Sequence, residues 1–179
     1  MEQGKKLTMQ ELERPTVDEF SREMKIPVVI VLDNIRSLHN VGSFFRTADA
    51  FAIESLHLCG ITAAPPNREI HKTALGATES VVWRYWESAA EAIDFLKLEN
   101  CVLVGVEQVL GSLSPKEISL DPEKRYALIF GNEVYGVGQE LLNRCDYYVE
   151  IPQVGTKHSL NVAVSAGIVL WEFFSKLRN

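Results

Sequence analysis

The chain has 179 residues, 46% apolar and 23% charged, which fits one globular domain with a real core and excludes a low-complexity chain. Its 24 acidic and 18 basic side chains give a net charge of −6. That balance argues against holding nucleic acid by bulk charge and leaves only a local basic face for the purpose. Cys59, Cys101 and Cys145 are odd in number and far apart, without CxxC or a nearby histidine pair. They read as reduced, mostly buried thiols, and neither a disulfide framework nor a zinc site is expected. The polar N-terminus has no apolar signal core, and the longest apolar stretch is interrupted well short of a membrane span. A cytoplasmic protein with no membrane partner is expected.

In chain order, residues 1–24 read as a charged tail with a short helix at "TVDEFSREM", capped by Thr16, and residues 25–179 as the folded domain. "IPVVIVLDN" is a β-branched, continuously apolar run, the mark of a buried strand. "NVGSFFRTADAF" follows with apolar side chains at helical spacing and is predicted to start near Asn40 as its cap. "IESLHLCG" and "VVWRYW" read as strands. "SAAEAIDFLKLEN" is an amphipathic helix opened by Ser88 with Glu91 three residues on, a capping-box pattern. "CVLVGVE" and "RYALIFGNE" are two more strands, "GQELLNRC" a short helix and "YYVEIPQ" a last strand. "SLNVAVSAGIVLWEFFSKL" is a closing helix predicted to begin at Ser159. Strands and helices in strict alternation imply an α/β fold, a mostly parallel sheet with helices on both faces. In such sheets ligands sit beyond the carboxyl ends of the strands. The polar residues Asp33, Asn34, Glu107, Asn132, Glu133 and Gln153 fall there.

Three constellations stand out. In "DNIRSLHNVGSFFRTADAF", Asn40 and Arg46 follow the first strand; residues six apart lie about 240° round a helix, so the two need not share a face. Arg46 comes after Phe44 and Phe45, in apolar company where an arginine needs a partner. In "FGNEVYGVG" the glycines permit close backbone approach, but neither GxGxxG nor the P-loop spacing is met. Glu133 in its centre would repel a phosphate, so the turn suits a ligand with no phosphate near that carboxylate. In "IPQVGTKHSLNVAVSAGIVLWEF", Ser159 and Asn161 stand where a helix start offers amide donors. Each segment alone also reads blandly, as a cap beside a surface arginine, a tight turn, and a capped buried helix.

Taken together and in this order, the three segments resemble the three motifs of the SpoU (TrmH-type) RNA ribose 2′-O-methyltransferases, within the SPOUT superfamily. "ALGATES" is similar too, and the resemblance covers residues 25–176. It implies a C-terminal deep trefoil knot, a form of threading that periodicity cannot predict. It also implies a homodimer with the closing helix at the interface, and S-adenosylmethionine as cofactor, converted to S-adenosylhomocysteine, with no metal. By position, the cofactor contacts fall on Gly131, Ile151 and Leu160, with Glu107, Phe130, Gly136 and Pro152 around them. The catalytic set matches Asn40, Arg46, Glu133, Ser159 and Asn161. Arg46 is the family's usual candidate for taking the hydroxyl proton. A guanidinium, with a pKa above about 12, is a poor base. Arg46 is therefore read as gripping a substrate phosphate and steadying the developing alkoxide. The expected partner is RNA, transfer RNA ahead of ribosomal RNA, because a small enzyme suits a compact substrate. Arg36 and Lys157 are candidate RNA contacts, with Lys5, Lys6, Arg14, Arg68 and Lys72 behind them. A non-catalytic regulatory module binding a nucleotide or cofactor is the alternative. An NAD-dependent oxidoreductase is a weaker one, since the dinucleotide fingerprint is missing.

Overall fold

The structure is a computed structural model that describes residues 4–8 and 10–178, so residues 1–3 and 9 of the expected tail lie outside the described residues. Its centre is a six-stranded sheet in the order β3-β2-β1-β5-β4-β6. The strands are β1 (Ile26–Asp33), β2 (Ile53–Cys59), β3 (Trp83–Trp86), β4 (Val102–Val106), β5 (Tyr126–Phe130) and β6 (Tyr147–Val149). Every neighbouring pair is parallel, as the buried apolar runs require. β1 and β5 lie at the middle, in register from Val28 opposite Tyr126 to Leu32 opposite Phe130.

The pleat sends alternate residues to two cores. Val28, Ile30 and Leu32 of β1 face a layer of α2 (Leu38–Ala50), α3 (Arg68–Ala74), α4 (Ala77–Ser80) and α7 (Val162–Leu177). Val29 and Val31 face α5 (Ala89–Leu98) and α6 (Gln139–Leu142). The N-terminal α1 (Val17–Arg22) is capped by Thr16 as expected, and Glu19 closes a full capping box there that the sequence reading did not foresee. At α5, the Ser88 side chain accepts from the Glu91 N–H, but among the described residues the Glu91 side chain does not return the bond, so only half of the expected capping box forms. Among the described residues no helix is long and apolar enough to cross a membrane.

Three details depart from the sequence reading. Strand and helix do not alternate strictly: α3 and α4 both lie between β2 and β3, while β4 reaches β5 without a helix. The cap of α2 is Ser37, whose side chain accepts from the Asn40 N–H at 3.3 Å, so Asn40 lies inside the first turn. The closing helix starts at Val162 and not at Ser159, because the Asn161 carboxamide takes the free N–H groups of Ala163 and Val164 at 2.9 and 3.2 Å.

α2 is fastened to the sheet by Phe44, wholly buried and packed edge-on against Phe130 at 5.2 Å between ring centroids. Phe44→Ala should therefore cost about 3–5 kcal/mol, the usual price of emptying a buried aromatic site. Urea unfolding of the two proteins measures it; a loss below about 1 kcal/mol would mean that α2 is not held through this ring.

Candidate functional site

β4, β5 and β6 all end at one edge of the sheet, and the chain that leaves each of them walls a cleft of about 680 Å³. Glu107 lies on the first wall, Phe130, Gly131, Glu133 and Gly136 on the second, and Ile151 on the third. The approach to α7 closes it with Ser159, Leu160 and Asn161. Ligand sites of open parallel sheets occupy this position. Of the seven sequence-derived cofactor residues, Pro152 alone does not line the cleft. Its neighbours Ile151 and Gln153 do.

The turn after β5 shows what its half-buried acid does. One carboxylate oxygen of Glu133 accepts from the Arg36 N–H at 2.9 Å. The other accepts from the Ser37 N–H at 3.0 Å and from the Asn40 carboxamide at 2.9 Å. Two of these donors stand at the entry to α2, where backbone N–H groups lack helical partners and negative charge is favoured. The carboxamide of Asn161 in turn donates to the Asn40 side-chain oxygen at 3.1 Å. Glu133, Asn40 and Asn161 thus form one relay, although they come from three distant parts of the chain. Burial pushes the Glu133 carboxyl up, and the donors at Arg36, Ser37 and Asn40 outweigh it, leaving its pKa below the ordinary 4.5.

The glycines serve the turn itself. A Cβ on Gly131 would lie 2.1 Å from the Gly136 carbonyl carbon and 2.2 Å from the Val137 nitrogen. Gly131 is needed because the loop closes on its own backbone. Gly136 has φ +66°, and a Cβ there would run into the Glu107 carboxylate, which accepts from the Val137 N–H at 3.0 Å. Asn132, which the sequence reading did not single out, ties the turn together. Its carboxamide donates to the Asn34 carbonyl at 2.8 Å and accepts from the N–H groups of Val134 and Tyr135 at 2.9 and 3.3 Å. Its place at a strand end was the only signal.

Two features decide what the cleft can hold. Its lining carries three carboxylates, Glu107, Glu133 and Glu150, and neither lysine nor arginine. The N–H groups of Ile151 and Leu160 have no hydrogen-bond partner among the described residues. A phosphate-rich ligand would meet repulsion there, whereas a cationic one with polar groups to satisfy would be favoured.

The remaining candidates lie outside. Arg46 is exposed, lines no part of the cleft, and has no ion pair among the described residues, contrary to the buried partner expected from its apolar neighbours. Arg36 and Lys157 are exposed near the mouth, Arg36 through its N–H to Glu133 and Lys157 next to the lining residue His158. Lys5 and Lys72 are engaged with Glu11 and Glu69, each at 2.7 Å. Arg68 lines a separate cleft with His71 and Trp83.

A carboxyl whose folded pKa is depressed stabilises the fold fully above its unfolded value, and that contribution is lost as pH falls through the folded value. Glu133→Gln, which keeps a single acceptor oxygen, should destabilise the protein by about 1–2 kcal/mol at pH 7. The gap between the two proteins should hold down to about pH 4.5 and close below it. Urea midpoints measured from pH 3 to pH 7 test this; a gap that persists unchanged in acid would remove the carboxylate from the account.

Residues 27–171 match the SpoU rRNA Methylase family. A Staphylococcus aureus protein named for the TrmH family of tRNA/rRNA methyltransferases is 29% identical over 163 residues, covering 89% of this chain and 64% of the relative. The chain thus spans 64% of the length of that larger protein. The SpoU methyltransferase AviRb from Streptomyces viridochromogenes, solved in complex with AdoMet, superposes with a TM-score of 0.76 at 25% identity, covering 87% of this chain and 62% of that one. An AdoMet-bound rRNA methyltransferase from Sinorhizobium meliloti gives 0.74 at 28% identity, over 92% and 61%. With the match running from the first strand into the closing helix, this chain belongs to the SpoU rRNA methylase family.

Proposed function

We propose that the chain is an S-adenosylmethionine-dependent RNA methyltransferase acting on a ribose 2′-hydroxyl, with transfer RNA preferred to ribosomal RNA. The observation that carries this reading is the cleft: acid-lined, free of lysine and arginine, with unpaired backbone donors at Ile151 and Leu160. The carboxylates suit a sulfonium cofactor with hydroxyl and amino donors, the free N–H groups suit its ring-nitrogen acceptors, and the acidic lining disfavours the pyrophosphate of NAD. Gly131, Phe130, Gly136, Ile151, Leu160 and Glu107 would hold the cofactor, with Pro152 bending the chain beside it. When bound, S-adenosylmethionine supplies an electrophilic methyl group and leaves as S-adenosylhomocysteine.

The chain's own part is positioning, since an in-line displacement gains most from a fixed line of approach. Glu133 holds the Asn40 carboxamide behind the cleft, and Asn40 holds Asn161, so the Asn161 side chain is fixed at the mouth. Ser159 brings a hydroxyl to the same mouth. Arg46 grips the phosphate next to the target ribose and steadies the developing alkoxide, while the hydroxyl proton passes late to solvent water. Residues 25–179 constitute the methyltransferase unit and residues 1–24 a tail. The C-terminal part is threaded as a deep trefoil knot; in support, residues 150–161 share the cleft with the 130–137 turn and then meet α2 through Asn161. The unit works as a homodimer. Leu160, Val164, Ile168 and Trp171 form an exposed apolar stripe along α7 that water alone would leave costly. Unpaired thiols at Cys59, Cys101 and Cys145 suit a cytoplasmic setting.

Labelled methyl from S-adenosylmethionine should enter unmodified transfer RNA and not ribosomal RNA, and Arg46→Ala should lose at least about 100-fold in rate, the scale of one transition-state charge contact. S-adenosylhomocysteine should still raise the Tm of that variant, and NAD should not. No label in either RNA would overturn the assignment; a rate flat from neutral to alkaline pH with Arg46→Lys fully active would remove the role given to Arg46. Trp171→Glu should convert a dimer to monomers by analytical ultracentrifugation, and an unchanged mass would displace the interface from α7.

A further inference from the structure

The turn that carries Glu133 also presents Tyr135, and its ring is not used by the protein. Tyr135 is 86% exposed while lining the mouth of the cleft. It has no ring partner among the described residues, in contrast to the packed aromatics of the core and of α7. A single exposed tyrosine on a mobile loop would carry no argument. This turn is held at nearly every residue. Asn132 accepts from the N–H of Tyr135 itself, and its carbonyl accepts from the Gly136 N–H at 2.8 Å. Glu133 is fixed by three donors and Val137 by Glu107. The crossing of Gly131 under Gly136 leaves the backbone no slack. A ring on such a backbone needs only two side-chain torsions ordered when something stacks on it, so little entropy opposes the contact.

We propose that Tyr135 is a stacking platform for the base of the nucleotide to be methylated, so that one turn both anchors the relay and orients the RNA. This rests on reading the cleft as an RNA methyltransferase site. The chemistry favours a nucleobase because the ring offers an unpaired π-face two residues from Glu133, and RNA is read mainly through unstacked bases laid on aromatic side chains. Charge agrees. Inside the cleft there is no cation to hold a phosphate, but exposed Arg36 is tied through its N–H to the Glu133 carboxylate. The backbone of Arg36 thus lies against the same turn as Tyr135, and its exposed side chain starts from the rim, where phosphates are tolerated.

The test uses the full chain with Tyr135→Ala, Tyr135→Phe and Tyr135→Trp. The alanine variant should raise the KM for the methyl-accepting RNA, or its Kd, by about five- to 150-fold, the range of one base–aromatic stack. Phenylalanine and tryptophan should restore most of that loss, since each keeps a π-face. The affinity for S-adenosylhomocysteine by calorimetry and the mass in solution should not change. Four results would overturn the proposal: alanine binding RNA as well as wild type, phenylalanine and tryptophan no better than alanine, a parallel loss of S-adenosylhomocysteine affinity, or a change of mass that puts the ring in a protein interface. If the wild type transfers no methyl to any RNA, anisotropy of a short labelled single-stranded RNA decides between the two claims. A Tyr135-dependent loss of binding keeps the platform while methyl transfer falls, and equal binding by all variants overturns both.

Discussion

Glu133 accepts three hydrogen bonds from donors 93 to 97 residues away in the chain, all at or just before the first turn of α2. A helix begins with N–H groups that have no helical partner, and here a carboxylate from the far side of the sheet's centre supplies part of the missing acceptor set. The result is that the β5 turn sets where α2 starts. Asn40, once its amide is committed to Glu133, has its oxygen free for Asn161, and Asn161 is the cap on which α7 begins. One anion therefore fixes three elements relative to one another, and two of them, the β5 turn and the start of α7, line the cleft. Packing alone would hold α2 against the sheet through Phe44 and Phe45, but it would not fix the rotation that puts Asn40 opposite the turn.

The same carboxylate shapes what the site admits. With Glu107 and Glu150 it makes the interior acidic, and the chain as a whole carries a charge of −6. An acidic interior is no obstacle to a protein of this family if its anionic polymer stays outside. On the function proposed above, phosphates would stay on the rim with Arg36, Lys157 and the exposed face of α2, and the interior would be left to a cation. Such a division makes binding depend on a few focal cations, so that affinity falls with salt by the number of phosphates actually engaged.

Much of the frame was legible because burial on both faces leaves a plain trace. "PVVIVL" and "YALIF" are continuous apolar runs, and both became central strands. What failed was local. Ser37, Asn40, Ser159 and Asn161 are all residue types that cap helices, and the type cannot say which of two candidates three or fewer residues apart is used; the neighbour that finds the free N–H decides. α3 and α4 are too short for a helical period to register, and only Asn67 as cap and Leu75 at φ +49° delimit α3. In the candidate site, the glycine-rich run signals close backbone approach without saying to what: Gly131 and Gly136 let the turn close on itself and also line the cleft. The bond between Glu133 and Asn40 spans 93 residues, and no periodicity reaches that far; the family resemblance brought the two together before the fold did.

Arg46 remains the residue that one chain does not place. It is one and two-thirds turns beyond Asn40 on α2, so the two side chains leave the helix about 120° apart as seen down its axis. Asn40 is held toward Glu133, and Arg46 has no hold at all among the described residues. On the function proposed above, a methyl acceptor that meets both would have two ways to do so. Either the RNA wraps over the edge of α2, with its phosphate on one face and its ribose on the other, or a second copy brings its own Arg46 to the mouth of the first. The exposed stripe starts at Leu160, just ahead of α7 and itself part of the cleft, and continues along the helix. A partner that covered the stripe would therefore arrive at the mouth, and the unsatisfied apolar face and the missing guanidinium would be answered by one association.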